Sequence, residues 1–234
     1  MLGRLTIGCR SREGDMKVNI VEEILSANDQ IAADNRRAFD EKGVLAINLM
    51  ASPGAGKTSL ILRTIEALRG RLRLGVIEGD IASRVDADKV AAAGVPVVQI
   101  NTGGTCHLDA PMIRQALASL PLDDIDLLFV ENVGNLICPT EFRLGEHAQV
   151  MVASIPEGDD KPYKYPAMFT QVDALVINKT DLLPYLDFDL ATFRQVVTGL
   201  NADVRIFEVS CQTGEGLEEW AEWLVELDET GKVN

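Results

Sequence analysis

Hydrophobic residues along the chain fall into short continuous runs that alternate with longer segments of helical periodicity. Apolar runs without alternation are typical of parallel strands that are buried on both faces. Seven runs predict strands: Val44–Met50, Leu74–Ile77, Val95–Ile100, Asp126–Val130, Val150–Ala153, Ala174–Ile177 and Val204–Val209. Five segments predict helices between them: Ser59–Arg69, Asp86–Ala93, Ala110–Leu120, Leu190–Leu200 and Gly216–Leu227. The repeated strand-helix order predicts an α/β fold with three layers around a mostly parallel, doubly wound sheet.

A further amphipathic helix is predicted ahead of the first strand. Its apolar positions recur at three- and four-residue spacing with acids and amides between them: Val18, Val21, Ile24, Leu25, Ile31 and Ala32. Residues 1–15 are mixed and contain glycine, so we expect a flexible leader there, followed by a single domain over residues 16–234. The polar segment Pro156–Tyr165 predicts a mobile, irregular surface stretch.

Composition and charge narrow the classes of partner and compartment. The chain has 36 acidic and 22 basic residues, and its net charge of -14 disfavours nucleic acid as a partner. No apolar run reaches the roughly 18–20 residues that a membrane span needs, and residues 1–15 lack the pattern of a signal peptide. The chain contains 4 cysteines, too few for a disulfide framework. We therefore expect a reduced cytoplasmic protein that binds neither membranes nor nucleic acid.

A phosphate-binding loop follows the first predicted strand. The segment ASPGAGKT, residues 51–58, matches G-x-x-x-x-G-K-[ST] at every signature position except the first, where Ala51 replaces glycine. Lys57 is predicted to bridge the β- and γ-phosphates, and Thr58 to ligate Mg²⁺. A glycine-rich turn with an incidental lysine is the alternative, which the flanking strand and helix disfavour. The residues expected to contact the nucleotide are Pro53, Gly54, Ala55, Gly56, Lys57, Thr58 and Ser59.

A second loop indicates which base is bound. The segment NKTD, residues 178–181, follows another predicted strand and resembles the N-K-x-D loop with which GTPases read guanine. The Asp181 carboxylate can accept hydrogen bonds from guanine N1–H and the exocyclic amine, whereas adenine has no donor at N1. An isolated N-K-x-D is often only a turn, but its place at a strand end favours GTP and GDP. The predicted base-site residues, including a last loop that departs from the usual S-A-K, are Asn178, Lys179, Asp181, Ser210, Cys211 and Gln212.

The segment ENVG, residues 131–134, resembles the D-x-x-G switch of GTPases with Glu131 in place of aspartate. Gly134 can place its N–H on a γ-phosphate and release it on hydrolysis. Asp80 is a candidate Mg²⁺ partner and Asp86 a weaker one, with helix capping as the alternative for both. The predicted catalytic residues are Lys57, Thr58, Asp80, Glu131 and Gly134. We identify no catalytic base and no arginine in cis, which predicts slow intrinsic hydrolysis.

Two cysteines and a histidine suggest a second metal site. Cys106 and His107 are adjacent, and Cys138 follows Gly134 by four residues, so movement of the switch would move a ligand. Two thiolates and an imidazole suit Ni²⁺ or Zn²⁺, although a buried thiol beside a structural histidine is the competing interpretation. Tetrahedral zinc takes four ligands, which predicts that water or a two-fold partner completes the set. His147 is expected to be structural or at the surface.

Six sequence blocks together resemble a known family. From Lys17 to Leu227, ASPGAGKT, GTCHLDA, ENVGNLICP, PEGDDKPYKYP, NKTD and SCQTGEG occur in the order found in the HypB family, the SIMIBI-class GTPases of hydrogenase maturation. The resemblance implies that GTP hydrolysis drives nickel delivery to the large subunit of [NiFe]-hydrogenase. It also implies a GTP-dependent homodimer with metal bridged at Cys106, His107 and Cys138. Implied partners are a HypA-type nickel chaperone, docking on the amphipathic helix, and in some members a SlyD-type isomerase.

The leader lacks the cysteine-rich nickel site that some HypB members carry, so we expect that site to be absent. Three alternatives stay open. A urease or cobalamin-enzyme chaperone of the same class would share Lys57 and NKTD but carry a different metal block. A small-molecule kinase would prefer ATP and need an acceptor. A pure metal carrier with structural nucleotide would bind metal equally with GDP and GTP.

Overall fold

The computed structural model describes residues 20–81 and 83–231, in which seven strands pair into one sheet. The strands are β1 (Leu45–Ala51), β2 (Leu74–Asp80), β3 (Val97–Asn101), β4 (Leu127–Glu131), β5 (Ala148–Ser154), β6 (Ala174–Asn178) and β7 (Arg205–Glu208). They lie in the order β3-β2-β4-β1-β5-β6-β7, and every neighbouring pair is parallel. The seven predicted strands are confirmed, with their ends shifted by a few residues.

Helices cover both faces of the sheet. They are α1 (Ile20–Lys42), α2 (Lys57–Ala67), α3 (Val85–Ala92), α4 (Ala110–Leu117), α5 (Lys161–Lys164), α6 (Pro166–Gln171), α7 (Leu190–Leu200) and α8 (Leu217–Thr230). Because side chains alternate along a strand, Ile47 of β1 packs against α2 and α8, whereas Ala46 and Met50 face the layer of α1, α4, α6 and α7. The predicted three-layer α/β fold is confirmed. Within the described ranges, no helix has the length and apolarity needed to cross a membrane.

The predicted N-terminal helix is present as α1, but its buried face differs from the predicted apolar stripe. The buried residues of α1 are Asn28, Ala32, Asn35 and Phe39. Ile24, which the pattern places in the stripe, is 53% exposed. Val18 and the leader, residues 1–15, lie outside the described residues. The predicted amphipathic helix is confirmed, and two of its buried positions carry amides, which an apolar pattern does not register.

The segment Pro156–Tyr165, predicted to be irregular, is folded. It continues the 3₁₀ turn Ile155–Glu157 and then forms α5, with Pro162 buried in the first turn of that helix. Proline suits the first turn of a helix, because the N–H that it lacks would have no intrahelical partner there. The prediction of an irregular stretch, which rested on the polar composition of the segment, was wrong, because its prolines lie in the first turns of helical segments.

His147 has a structural role, which is one of the two alternatives predicted for it. Its Nδ1 accepts a hydrogen bond from the backbone N–H of Ala46 at 3.0 Å, and its Nε2 lies 3.0 Å from Asp40 Oδ1. The side chain therefore joins α1 to the beginning of the central strand.

Candidate functional site

The phosphate loop joins the carboxyl end of β1 to the N-terminus of α2, at the centre of the sheet. Doubly wound sheets bind ligands at such a position. Gly54 and Gly56 have φ values of 80° and 105°, which glycine adopts at low cost. A Cβ at Gly56 would also collide with the side-chain amide of Asn178. No side chain caps the first turn of α2, so its backbone N–H groups can bind an anion.

Two alanines of this loop have structural roles. Ala51, which stands where the pattern has glycine, is the last residue of β1, is buried and has no positive φ. Its methyl group therefore fits without strain. Ala55 was predicted to contact the nucleotide, but its side chain packs in the core while its carbonyl accepts from Asn178 Nδ2 at 3.0 Å.

A cavity of about 520 Å³ opens beside the phosphate loop. The predicted residues that line it are Pro53, Gly54, Gly56, Lys57, Thr58, Ser59, Asp80, Asp86, Glu131 and Gly134. Within it, the Thr58 hydroxyl donates to Glu131 Oε1 at 2.8 Å, and Asp80 Oδ1 accepts from the N–H of Ser83 at 2.6 Å. The structure thus brings all of the predicted catalytic residues to one cavity.

Glu78, which the sequence reasoning missed, lies in the same cavity. The pairing of β2 with β4 places it directly beside Glu131. Both residues are buried, and Oε2 of each has no hydrogen-bond partner among the described residues. The sequence could have indicated Glu78 as a site residue. It precedes Asp80 by two residues, and side chains two apart on a strand share a face.

Burial dominates the electrostatics of this cavity. It raises the pKa of Glu78 to about 8, with the Glu131 carboxylate adding to the rise. Burial also raises the pKa of Glu131, against the opposing effect of Lys57, and lowers the pKa of Lys57 itself. Buried carboxylate oxygens without partners are costly unless a cation or proton compensates them. The cavity therefore fits a divalent cation.

We expect Glu78→Gln to change how stability depends on pH in the nucleotide-free protein with a chelator present. The unfolded chain loses the Glu78 proton near the ordinary pKa of 4.5, whereas the folded protein keeps it up to about pH 8. Glu78 therefore favours folding fully below the lower value and loses that contribution as the pH rises through 8. Thermal melts should show wild type losing several degrees more than Glu78→Gln between about pH 5 and 9. Parallel curves would contradict the assignment, and exposed Glu219→Gln is the control.

The switch segment contacts both the phosphate loop and the loop of the sulfur ligands. A Cβ on Gly134 would lie 2.9 Å from Pro53 Cγ, so the two loops are closely packed. Asn132 Oδ1 accepts from the N–H of Leu108 at 3.0 Å. Asn135 Nδ2 donates to the carbonyl of Cys106 at 3.3 Å. These two asparagines were not singled out from the sequence.

The base-reading loop borders a second cavity, of about 460 Å³, beside α2. Lys179 has a φ of 62° and its Nζ donates to the Gly54 carbonyl at 2.7 Å, which ties this loop to the phosphate loop. Ser210 donates its hydroxyl to Asp181 Oδ1 at 2.6 Å, leaving the second carboxylate oxygen for a ligand. The residues lining the cavity are Ser59, Leu62, Arg63, Glu66, Asn178, Lys179, Asp181, Leu182, Cys211 and Gln212.

In the last base loop, Cys211 and Gln212 line this cavity. Ser210 is buried behind the cavity wall. The N–H of Cys211 donates to Asn178 Oδ1 at 3.2 Å. Burial raises the pKa of the Cys211 thiol to about 11, so this side chain stays neutral near pH 7. Leu62 and Arg63 were missed, because a helix surface bordering a ligand has no sequence signature of its own.

The three predicted soft-metal ligands also come together. One ligand atom from each of Cys106, His107 and Cys138 lies within 4.8 Å of the others. The two Sγ atoms are 3.1 Å apart, and Cys106 Sγ is 4.0 Å from His107 Nδ1. Cys138 begins the 3₁₀ turn Cys138–Thr140, and the other two lie between β3 and α4. All three are half-buried, so a metal ion could reach them from solvent.

The chemistry of this cluster fits a borderline or soft metal. His107 stacks on Phe142 with ring centroids 4.1 Å apart, and burial lowers the pKa of the imidazole, which favours the neutral form that coordinates. The hydrogen bond with Cys106, together with burial, raises the pKa of Cys138. Thiolates and imidazole suit nickel or zinc and suit Mg²⁺ poorly.

The chain is similar to known nucleotide-binding proteins. The CobW/HypB/UreG nucleotide-binding domain family matches residues 45–208. The hydrogenase maturation factor HypB of Azotobacter vinelandii is 50% identical over 209 residues, covering 88% of this chain and 68% of the relative. HypB from Archaeoglobus fulgidus superposes with a TM-score of 0.82 at 40% identity, covering 87% of this chain and 99% of that one.

A second solved structure is HypB from Helicobacter pylori in complex with nickel. It superposes with a TM-score of 0.84 at 36% identity, and the match covers 88% of this chain and 96% of that one. The family resemblance read from the six sequence blocks is therefore confirmed. The chain belongs to the HypB family of hydrogenase maturation factors, within the CobW/HypB/UreG group of nucleotide-binding proteins.

Proposed function

We propose that the protein is a slow GTPase that delivers nickel to the large subunit of [NiFe]-hydrogenase and uses its nucleotide state to control metal binding. One observation carries the proposal: the switch segment touches the phosphate loop at Gly134 and the metal-ligand loop through Asn132 and Asn135. A movement of this segment on loss of the γ-phosphate would therefore reach Cys106 without an intermediate element.

The base cavity supports GTP as the nucleotide. With Asp181 held by Ser210, its carboxylate can accept from guanine N1–H and the exocyclic amine. Adenine would leave the same carboxylate without a donor, at a cost of a few kcal/mol. Lys179 presents its aliphatic stem beside this carboxylate, where it can cover one face of the base.

Hydrolysis depends on compensation of the phosphate charge. Lys57 and the N-terminus of α2 bind the phosphates, and Thr58, Asp80 and Glu131 would hold Mg²⁺, which supplies further positive charge. Asp86 lies at the same cavity and can assist. Among the described residues, no arginine lines this cavity, which supports slow intrinsic turnover.

In this proposal, nickel is the ion that the protein delivers, and it binds to Cys106, His107 and Cys138. Zinc competes for the same ligands. Three ligands from one chain leave a tetrahedral ion one short, so a second copy of the chain or water would complete the site. We infer a homodimer that forms around this metal in the GTP state. A HypA-type chaperone, a hydrogenase large subunit and, in some settings, a SlyD-type isomerase are the expected partners, and the cytoplasm the expected compartment.

Calorimetry with Ni²⁺ and light scattering on the same samples test the proposal, with GDP and with a non-hydrolysable GTP analogue. We expect the analogue to double the mass and to change nickel affinity, because the switch that meets the γ-phosphate also holds the metal loop. Cys138→Ala should bind less nickel and keep its nucleotide affinity. If the mass and the nickel affinity are the same with GDP and with the analogue, the coupling is overturned. The protein would then be a metal carrier in which the nucleotide is structural.

A further inference from the structure

We propose that Asn28 and Asn35 of α1 are positioning residues for the site of Cys106, His107 and Cys138, because they join the two loops that carry these ligands. The metal affinity of this site then depends on how α1 packs against the two loops, as well as on which nucleotide is bound. The inference rests on the proposed function, since it takes the three side chains as nickel or zinc ligands.

Asn28 contacts both ligand-bearing loops at once. Its Oδ1 accepts from the N–H of Ala110 at 2.9 Å, and its Nδ2 donates to the carbonyl of Arg143 at 2.8 Å. Ala110 follows His107 by three residues, and Arg143 follows Cys138 by five. A single side chain therefore links the end of one ligand loop to the end of the other.

Asn35 repeats the link about two turns further along the same helix face. Its Nδ2 donates to the carbonyls of Ala110 and Leu144, at 2.9 and 3.0 Å. Asn28 is 4% exposed and Asn35 is 2% exposed, so water does not replace these partners. A buried amide or carbonyl is costly to leave unpaired, so these hydrogen bonds favour the observed spacing of the loops.

The helix and the second loop are also in close contact. A Cβ at Gly145, where φ is 101°, would lie 2.5 Å from the Ala32 carbonyl and 2.8 Å from the Arg36 nitrogen. The backbone of the second loop therefore packs directly against α1 next to Asn35. The same loop carries Phe142, which stacks on His107, so its position reaches a ligand directly.

The loop geometry has to be accurate for metal binding. The Sγ atoms of Cys106 and Cys138, which come from two different loops, lie 3.1 Å apart, so their distance depends on how the two loops are placed. Outer-shell partners that orient metal ligands typically contribute about 10- to 100-fold to metal affinity. We therefore assign Asn28 and Asn35 that outer-shell role, one layer further from the metal.

Metal competition titrations on the full-length chain test the inference, with Ni²⁺ and with Co²⁺ as a spectroscopic probe. Asn28→Ala and Asn35→Ala should each weaken binding about tenfold or more, and should alter the Co²⁺ absorption bands that report thiolate ligation. Gln30→Ala is the matched control, since it removes an exposed amide from the same helix. The KM and kcat for GTP should stay at wild-type values in all three, which global unfolding would not allow.

Aspartate variants provide a second test that depends on geometry. Asn28→Asp keeps the acceptor for the Ala110 N–H and should bind metal better than Asn28→Ala. Asn35→Asp points a carboxylate at two carbonyls and should bind no better than Asn35→Ala. The reverse order, or affinities within threefold of wild type in both alanine variants, would overturn the inference. If Cys138→Ala also binds metal like wild type, the proposed ligand set has failed instead.

Discussion

Lys57→Ala is expected to lower the rate of GTP hydrolysis by about a hundredfold or more. Lys57 is the buried cation of a cavity that also holds Glu78 and Glu131. Without it, these carboxylates face the phosphates with less compensation, and the transition state loses the charge that it needs most. Steady-state phosphate release, with saturating Mg²⁺ and GTP, measures the effect.

Lys42→Ala is the control for this result. Its ammonium is exposed and pairs with Asp123 far from the cavity, so turnover should stay at the wild-type rate. Thermal melts of both variants show whether the fold is kept. A folded Lys57→Ala protein that hydrolyses GTP at more than a tenth of the wild-type rate would refute the assigned role.

Asp181→Asn should shift the base preference from guanine toward xanthine. An asparagine can accept from N1–H, but its amide donates where guanine also donates, so both charge-assisted hydrogen bonds weaken. We expect GTP affinity to fall about a hundredfold, on the basis of about 1.5–3 kcal/mol for a hydrogen bond to a charged group. Xanthine carries an oxygen at that position and can accept from the new amide, so affinity for XTP should rise.

Nucleotide competition assays with GTP, XTP and ATP compare the variant with Asp203→Asn, which alters an exposed carboxylate outside the cavity. Ser210→Ala should weaken GTP less than Asp181→Asn, because it removes the support of the carboxylate and leaves the carboxylate in place. An unchanged ratio of GTP to XTP affinity in Asp181→Asn would remove Asp181 from the base site.

Much of the fold could be predicted from the sequence, because buried parallel strands leave a local signature. Most strands of the sheet, such as β1 and β6, consist largely of apolar residues, and the loops that follow β1, β4 and β6 carry short patterns tied to one chemistry. The phosphate and base loops were therefore found from residues that are close in sequence. Their joint contact, through Lys179 and Gly54, follows from the parallel order of the strands.

The parts that escaped prediction depend on contacts between distant segments. Spacing alone favoured ordinary thiols at Cys106 and Cys138, and the metal site was predicted from the ligand chemistry and from the position of Cys138 just after the switch. By contrast, Asn28 and Asn35 were not predicted, because the carbonyls that they bind belong to loops 75 to 115 residues away. A buried amide that pairs with a backbone group leaves no periodic pattern in the sequence. In the sequence it cannot be distinguished from an exposed polar residue of an amphipathic helix.

These long separations determine when during synthesis the metal site can form. Helix α1 leaves the ribosome first, but Asn28 has to wait for Arg143, 115 residues later. At about 5–20 residues per second, that interval lasts about 6–20 s. Until then the two ligand loops lack their common support, and the thiol of Cys106 exists without that of Cys138. If the proposed ligand set is correct, the nascent chain should therefore bind nickel weakly until Arg143 has been made, when β1–β4 and the phosphate loop are complete but β5–β7 and the base-reading loop are not.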